Sequence, residues 1–382
     1  MDGESYMNMF HLREPSGSIV ANRLNRLPRV VVQGTGSSLP SHLVHNDDFS
    51  ATLDTSDEWI SSRTGFSERR FIGNEETSNT LALEASKRAL QSAQIDAEEL
   101  DLILVATISP ETTTPTIGNV LQHELKCRTI PSMDISAACT GFLYSMFLGT
   151  QTILAGGAQN VLVVGVEVMS RIIDFKDRNT CILFGDGAGA IVLSAHRPEN
   201  KLDLRSMKSN SNSREANEEW NTGSADPNLL GIHQFHLFSD GSKSHLIRVP
   251  NLAGDFRGPN SPHAGIPGFV EMNGREVFKF AVNKLTELLA QGIKDAERLG
   301  LTIDYLVPHQ VNIRIINMAL EMSGFPTEKV ILNLKSYANT SAASVPIALD
   351  EALRLKRILP GSTILLVAFG GGLTWGSALV SV

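Results

Sequence analysis

The sequence predicts an α/β fold in which sheets are buried between layers of helices, and three observations carry that prediction. Apolar, β-rich runs recur along the chain: "RVVVQGTG", "LDLILVATI", "PSMDI", "NVLVVGVEV", "GAIVLS", "DYLVPH", "VILNL" and "STILLVAFG". Segments of helical period lie between many of them. Most of these runs are continuously apolar rather than alternating, as expected of strands covered on both faces. The two halves of the chain look alike at this coarse level, so an internal duplication is expected. With 382 residues, 42% of them hydrophobic, the chain can bury an extensive core.

Taken in order, residues 1–28 read as a flexible N-terminal extension. Met1 to Leu27 is polar and mixed and carries no apolar block after a basic start, which does not match a secretory signal. Arg13, Arg23 and Arg26 hint at a transit peptide, but Asp2, Glu4 and Glu14 oppose it. Residues 29–200 form one α/β half, with a helix over Asn79 to Ile95. Residues 201–262 read as an insertion and surface loops, because Asn200 to Asn228 is rich in Asn, Ser and Glu and poor in apolar residues. Residues 263–382 form the second half, with helices in "NGREVFKFAVNKLTELLAQGIKDAERLG" and "SAASVPIALDEALRLKRI". The uncharged run from Ile364 to Val382 resembles a membrane span in composition. Three consecutive glycines, Thr374, Trp375 and Ser377 interrupt it, so it reads as strand, glycine turn, strand.

The net charge of −8 argues against a nucleic-acid partner, which needs a dominant basic surface. Cys127, Cys139 and Cys181 have no CxxC spacing. That pattern fits a reducing compartment and argues against a zinc site.

Cys139 stands where an apolar strand and a run of small residues, Ser136, Ala137 and Ala138, meet a helix. Such a turn is tight and lets a ligand approach. A thiol there sees the positive end of a helix dipole, which favours thiolate. The alternative is a small buried hydrophobe. His309 follows an apolar strand just before a helix, where open α/β sheets bind ligands. Asn339 sits at the corresponding place one helix and one strand further on. Alone, each is ordinarily structural; their matched placement allows a nucleophile and two polar partners to converge.

The strings "DTSDEWISSRTG", "DISAACTGF", "FGDGAGA", "VPHQVN", "NTSAASVP" and "FGGGLTWGSALV" make the chain resemble the β-ketoacyl-acyl-carrier-protein synthase III family. The resemblance runs from about Arg29 to Val382. It implies the thiolase fold, a duplicated, layered αβαβα architecture, and a homodimer. It implies an acyltransferase that initiates fatty acid biosynthesis: Cys139 takes the acyl group of an acyl-CoA, and malonyl-acyl carrier protein then condenses with it as carbon dioxide leaves. By the same resemblance, the backbone N–H groups of Cys139 and Gly371 form the oxyanion hole, and His309 and Asn339 stabilise the enolate. Trp59, Arg63, Arg178 and Asn312 bind CoA, Thr114 and Phe369 shape the acyl pocket, and Lys279 and Arg314 dock the carrier protein. No metal or redox cofactor is implied, CoA entering as part of a substrate. The implied location is the cytoplasm, with a plastid stroma left open.

Several residues depart from the family pattern. Thr114, expected to reach a partner subunit's pocket, replaces a common Phe and implies room for a primer longer than acetyl. Glu321 and Met322 stand where lysines are frequent, Arg275 replaces a smaller polar residue, and Ala338 replaces the glycine before Asn339. The alanine is expected to have negative φ. Other readings on the same scaffold are a specialised acyltransferase or polyketide starter enzyme, and a non-catalytic acyl-binding or dimer-partner paralogue. A thiolase would need a second active cysteine near the C-terminus, and none follows Cys181. A hydroxymethylglutaryl-CoA synthase would need a general-acid carboxylate, for which the sequence offers no obvious candidate.

Overall fold

The computed structural model describes residues 28–196, 230–250 and 268–382. The N-terminal extension up to Leu27 and the Asn200 to Asn228 insertion lie outside the described residues. The strands of the first half are β1 (Arg29–Ser38), β2 (His42–His45), β3 (Glu68–Phe71), β4 (Leu102–Ala106), β5 (Ser132–Ile135), β6 (Asn160–Glu167) and β7 (Gly187–His196). Those that follow are β8 (Gly231–Ser239), β9 (Ile247–Arg248), β10 (Glu271–Met272), β11 (Tyr305–Pro308), β12 (Thr363–Gly370) and β13 (Thr374–Ser381). The helices are α1 (Asn46–Ser50), α2 (Asp57–Thr64), α3 (Ser78–Ala93), α4 (Ile117–Glu124), α5 (Gly141–Leu154), α6 (Gly274–Arg298), α7 (Ile313–Ser323), α8 (Leu334–Tyr337) and α9 (Ser344–Arg354).

Two large sheets result, of order β1-β7-β6-β4-β5 and β11-β12-β13-β8. In the first, β4 is parallel to β6, and β6, β7 and β1 are successively antiparallel. The second repeats that pattern through β11, β12, β13 and β8. Strand β5, parallel to β4, has a vestigial counterpart in "VILNL", which makes only the isolated parallel bridge Leu306–Val330. The run predicted as a strand is therefore reduced to one bridge. The expected duplication is present as topology.

The core explains the layering. On β6, Val161 and Val163 face a central layer in which α5 (Phe142, Leu143, Met146) and α9 (Val345, Ala348, Leu349) lie between the sheets. Leu162 and Val164 of the same strand face α3 through Leu81, Ala85 and Ala89. On the far side, α6 and α7 cover the second sheet through Leu285, Leu289, Ile316 and Ala319 against Leu365 and Val367. The central strands are buried on both faces because each sheet meets helices on both sides, which gives the αβαβα order. Residues 201–262 are not all insertion and loop. Gly231–Ser239 forms β8, paired with β13, and belongs to the second sheet. The pattern of "GIHQFHLFS" hides this, because its mostly half-buried positions interrupt the apolar run with His233, Gln234 and His236.

The central helix α9 is tied to the first sheet by a buried carboxylate. Asp350 accepts from the hydroxyls of Thr35 at 2.8 Å and Ser37 at 2.6 Å, both on β1. Strand β6 also comes very close to the turn Ser341–Ala343 that leads into α9: a Cβ on Gly165 would lie 2.4 Å from the Ala342 carbonyl oxygen. Gly165→Ala must push that turn away, and overpacking of this kind costs about 1–3 kcal/mol. A urea titration is expected to show a lower unfolding midpoint with an unchanged slope.

Candidate active site

Both sheets deliver chemistry at the same end of the molecule. Beyond β5, the chain forms a single 3-10 turn, Ala138–Thr140, before α5 begins at Gly141. Ala138 has φ of +47°. Cys139 is buried in this turn, 8% exposed. The end of β12 lies against it: a Cβ on Gly370 would be 2.8 Å from the Cys139 nitrogen and 2.9 Å from its Cβ. Only glycine allows that approach. Gly371 follows, and its carbonyl accepts from the Thr374 hydroxyl at 3.0 Å, while Thr374 also pairs with the Thr140 hydroxyl at 2.7 Å. These contacts lock the glycine turn onto the cysteine turn.

His309 comes from the end of β11, where its N–H donates to the Val367 carbonyl at 2.7 Å. The side chain is 2% exposed, its Nδ1 lies 2.6 Å from Ser344 Oγ, and its ring meets Phe369 edge-on at 5.6 Å. Burial pushes the imidazole pKa down to about 3, so it is neutral at physiological pH. Asn339 is also buried, and its Oδ1 accepts from the Ser341 N–H at 2.8 Å. Its backbone bridges the 182–185 segment, accepting from the Gly185 N–H and donating to the Leu183 carbonyl.

Cys139, His309, Asn339, Phe369 and Gly370 line one cleft of about 390 Å³, which extends to Trp59, Arg63 and Asn312. Asn312 caps α7, accepting from the Arg314 N–H at 2.9 Å, and its Nδ2 donates to the Arg63 carbonyl at 3.0 Å. The Trp59 ring carries two guanidinium groups, Arg63 at 4.5 Å and Arg178 at 4.8 Å from its centroid. Arg178 additionally bonds the Asp54 backbone carbonyl.

Other predicted residues lie outside this cleft. Thr114 is exposed on the loop before α4. Lys279 is exposed and paired with Glu276 at 3.0 Å, and exposed Arg314 lies 5.8 Å from the Phe278 ring. Arg275 joins the cleft lining, as does Phe278.

Two expectations need correction. The helix N-terminus does not yield a thiolate in the resting site. Burial pushes the Cys139 thiol up to about 12, the negative charge of Glu167 reinforces the shift, and the Ser341 hydrogen bond only partly opposes it. Desolvation outweighs the dipole because the sulfur has almost no contact with water. Ala338, second, does not have negative φ. It adopts φ +53°, ψ −149°, a region open mainly to glycine.

Glu167 is the residue that sequence reasoning missed. It lies at the end of β6, fully buried, and its Oε1 accepts from the Ser341 hydroxyl at 3.0 Å. The Ser341 oxygen in turn accepts from Cys139 Sγ at 3.5 Å. The available signal was a lone carboxylate in the apolar run "NVLVVGVEV".

The strain at Ala338 generates a prediction. A non-glycine residue there costs about 1–3 kcal/mol, whereas its buried methyl contributes about 0.8 kcal/mol. Ala338→Gly is therefore expected to raise the urea midpoint, by the equivalent of about 1 kcal/mol.

With this geometry in place, comparison with known proteins is specific. A family model described as 3-oxoacyl-[acyl-carrier-protein (ACP)] synthase III matches residues 133–213, and one described as the C terminal of the same synthase matches residues 296–382. The beta-ketoacyl-[acyl-carrier-protein] synthase III of Novosphingobium aromaticivorans is 40% identical over 354 residues, 93% of this chain and 99% of that protein. The crystal structure of the corresponding Aquifex aeolicus synthase superposes with a TM-score of 0.76 at 36% identity, covering 93% of this chain and 100% of that one. A priming beta-ketosynthase from the R1128 polyketide biosynthetic pathway gives a TM-score of 0.78 at 30% identity, covering 93% and 97%. The fold is thus that of these condensing enzymes, and the chain belongs to the 3-oxoacyl-[acyl-carrier-protein] synthase III family.

Proposed function

We propose that this protein condenses an acyl group held on Cys139 with a malonyl unit delivered by an acyl carrier protein, as a β-ketoacyl-[acyl-carrier-protein] synthase III that starts fatty acid chains. The observation that carries the proposal is the convergence of Cys139, His309 and Asn339 on one cleft whose far end holds Trp59, Arg63 and Asn312. A thioester entering from the Trp59 end would reach Cys139, exchange its sulfur partner and leave the acyl group on the protein. The N–H groups of Cys139 and Gly371 are assigned to its carbonyl oxygen.

Hydrogen bonding favours donor roles for the other two side chains. Asn339 Oδ1 is occupied by the Ser341 N–H, which leaves Nδ2 to donate to substrate. Ser344 Oγ accepts from the Gln310 N–H at 3.5 Å, so its own hydrogen is free to go to His309 Nδ1. That arrangement keeps Nε2 protonated on a neutral ring. Two N–H donors suit a malonyl thioester carbonyl, whose oxygen gains negative charge as carbon dioxide departs; one such donor is worth about 3 kcal/mol in the transition state. Carbanion formation by decarboxylation needs no redox change, so no redox cofactor is assigned.

The CoA assignment gives Trp59 an adenine to stack on, with Arg178 as the opposite face and Arg63 toward the phosphates. Since both guanidinium groups now lie over the indole, Arg178 would have to withdraw to admit a ring beside Trp59. Homodimer formation, with Thr114 closing the partner's acyl pocket, belongs to the same reading. Carrier docking near Lys279 and Arg314 is assigned to steering of an acidic partner by positive charge, weakened by the Glu276 pairing. The location proposed is the cytoplasm or a plastid stroma. Among the described residues, no helix is long and apolar enough to cross a membrane.

The likeness to a priming ketosynthase favours a second reading in one respect, the primer. With Thr114 in place of Phe, primers longer than acetyl are expected.

Two experiments test these assignments. Intact-protein mass spectrometry after mixing with acyl-CoA is expected to show a covalent acyl adduct that Cys139→Ala abolishes. His309→Ala and Asn339→Ala should still acylate, yet lose 10²–10³-fold, as an order of magnitude, in discharge by malonyl-carrier. An adduct that malonyl-carrier cannot discharge from the wild type would point to specialised acyl transfer instead. Second, octanoyl-CoA should load the wild type, and Thr114→Phe should restrict loading to short primers; a wild type that accepts acetyl-CoA but rejects octanoyl-CoA rules out the longer pocket.

A further inference from the structure

We propose that Glu167, acting through the Ser341 hydroxyl, is the proton acceptor for the Cys139 thiol. The inference rests on the reading of Cys139 as nucleophile and adds what the resting site requires, a route for its proton.

The three groups form a continuous, directed chain. Cys139 Sγ donates to Ser341 Oγ at 3.5 Å, and Ser341 Oγ donates to Glu167 Oε1 at 3.0 Å. Each bond already points the way the proton must travel. The far side of the carboxylate is equally ordered: Oε2 accepts from Ser109 Oγ at 2.5 Å and from the Ile108 N–H at 3.1 Å. Ser109 Oγ in turn accepts from the Val168 N–H at 2.8 Å, which commits its own hydrogen to Glu167. A fully buried glutamate is costly unless it is neutralised or heavily hydrogen-bonded. Here burial raises its pKa to about 7, the donors from Ser109, Ile108, Ser341 and Ala342 holding it from rising further. The group is thus poised to exchange a proton near neutrality.

Among the described residues, the groups bonded to Glu167 carry no charge. Glu167 faces Thr107, Ile108 and Ser109 beyond β4, and Ser341 and Ala342 before α9. Cys139 sits on the turn before α5, and His309, from β11, is neutral above about pH 3. Cys139 and Glu167 are the pair that titrates. Ser341 is held in place for the relay by a positive φ of 48° and by the Asn339 side chain on its N–H.

The step balances as follows. As the Cys139 sulfur forms its bond to the thioester carbonyl carbon, the S–H proton passes to Ser341 Oγ and the Ser341 proton passes to Glu167. Collapse of the adduct breaks the carbon–sulfur bond of the acyl-CoA. The CoA thiolate leaves with that electron pair and takes a proton from water. In the condensation, the carbanion displaces Cys139 as a thiolate, and Glu167 returns its proton through Ser341.

The test is the pH dependence of Cys139 alkylation by iodoacetamide, followed by peptide mass spectrometry from pH 5.5 to 9. This probe needs no acyl-CoA or carrier, so its outcome is separable from that of the proposed function. The wild-type rate is expected to climb through about pH 7 as Glu167 ionises. Glu167→Gln and Ser341→Ala should lose that rise and react about 100-fold more slowly at pH 8, the usual lower bound for general-base assistance. A merely electrostatic role predicts the opposite sign for Glu167→Gln, because removing the negative charge would lower the thiol pKa and speed alkylation. Variants that match or exceed the wild-type rate overturn the relay, as does a wild-type profile with no inflection near pH 7. Should Glu167→Gln fail to fold, Ser341→Ala breaks the chain without touching the carboxylate, and the wild-type profile needs no variant at all.

Discussion

The site is registered by one backbone contact, that of Gly370 against Cys139. The contact joins the end of a strand in the second sheet to the Cys139 turn of the first, closely enough that a methyl group would collide with both nitrogen and Cβ. Three other groups inherit their positions from it. Gly371 follows directly in the chain, His309 is set by the parallel neighbour of β12, and the Thr140–Thr374 bond closes the perimeter. A core that is packed as densely as a crystal transmits such a contact without slack. The sheet-to-sheet distance is therefore a catalytic dimension as well as a structural one.

Duplication explains why the polar residues converge. Each half presents the turn beyond a parallel strand pair toward the same cleft. Cys139 follows β5 and Asn339 follows its vestigial counterpart, while His309 follows β11 as the Thr107–Ser109 segment follows β4. The first half uses the latter segment to hold Glu167, and the second uses it to present an imidazole. One architecture thus supplies the proposed nucleophile, the proposed donor pair and a buried carboxylate.

Much of this was legible in the sequence. Continuous apolar runs require helices on both sheet faces, and the small-residue joint at Cys139 is a local signature that tertiary context does not erase. What escaped depends on distant partners. The half-buried β8 lacks an apolar run because it is the edge strand of its sheet and carries polar residues such as His236, which bonds Asp295, and "VILNL" has the composition of a strand without room for a full ladder. The Cys139 ionisation is not legible in the sequence, because a helix dipole can be read from position whereas desolvation depends on what the fold stacks above the thiol. Glu167 escaped for a related reason: its role comes from Ser341, which stands 174 residues away in the chain. The positive φ of Ala338 escaped because alanine ordinarily avoids that region, although the family pattern has a glycine there.

The paired guanidinium groups on Trp59 give the cleft mouth a consequence of its own. Admission of an aromatic headgroup there is a partner swap rather than the filling of a bare surface, since a cation already on the indole must yield its face. Net affinity is then a difference between two stacking energies, each of order 1 kcal/mol. A headgroup that also carries phosphates can recruit the displaced cation elsewhere along its length, whereas a bare ring cannot. On the proposed reading, the entrance would thereby select for molecules that are aromatic at one end and anionic beside it, before any thioester reached the thiol.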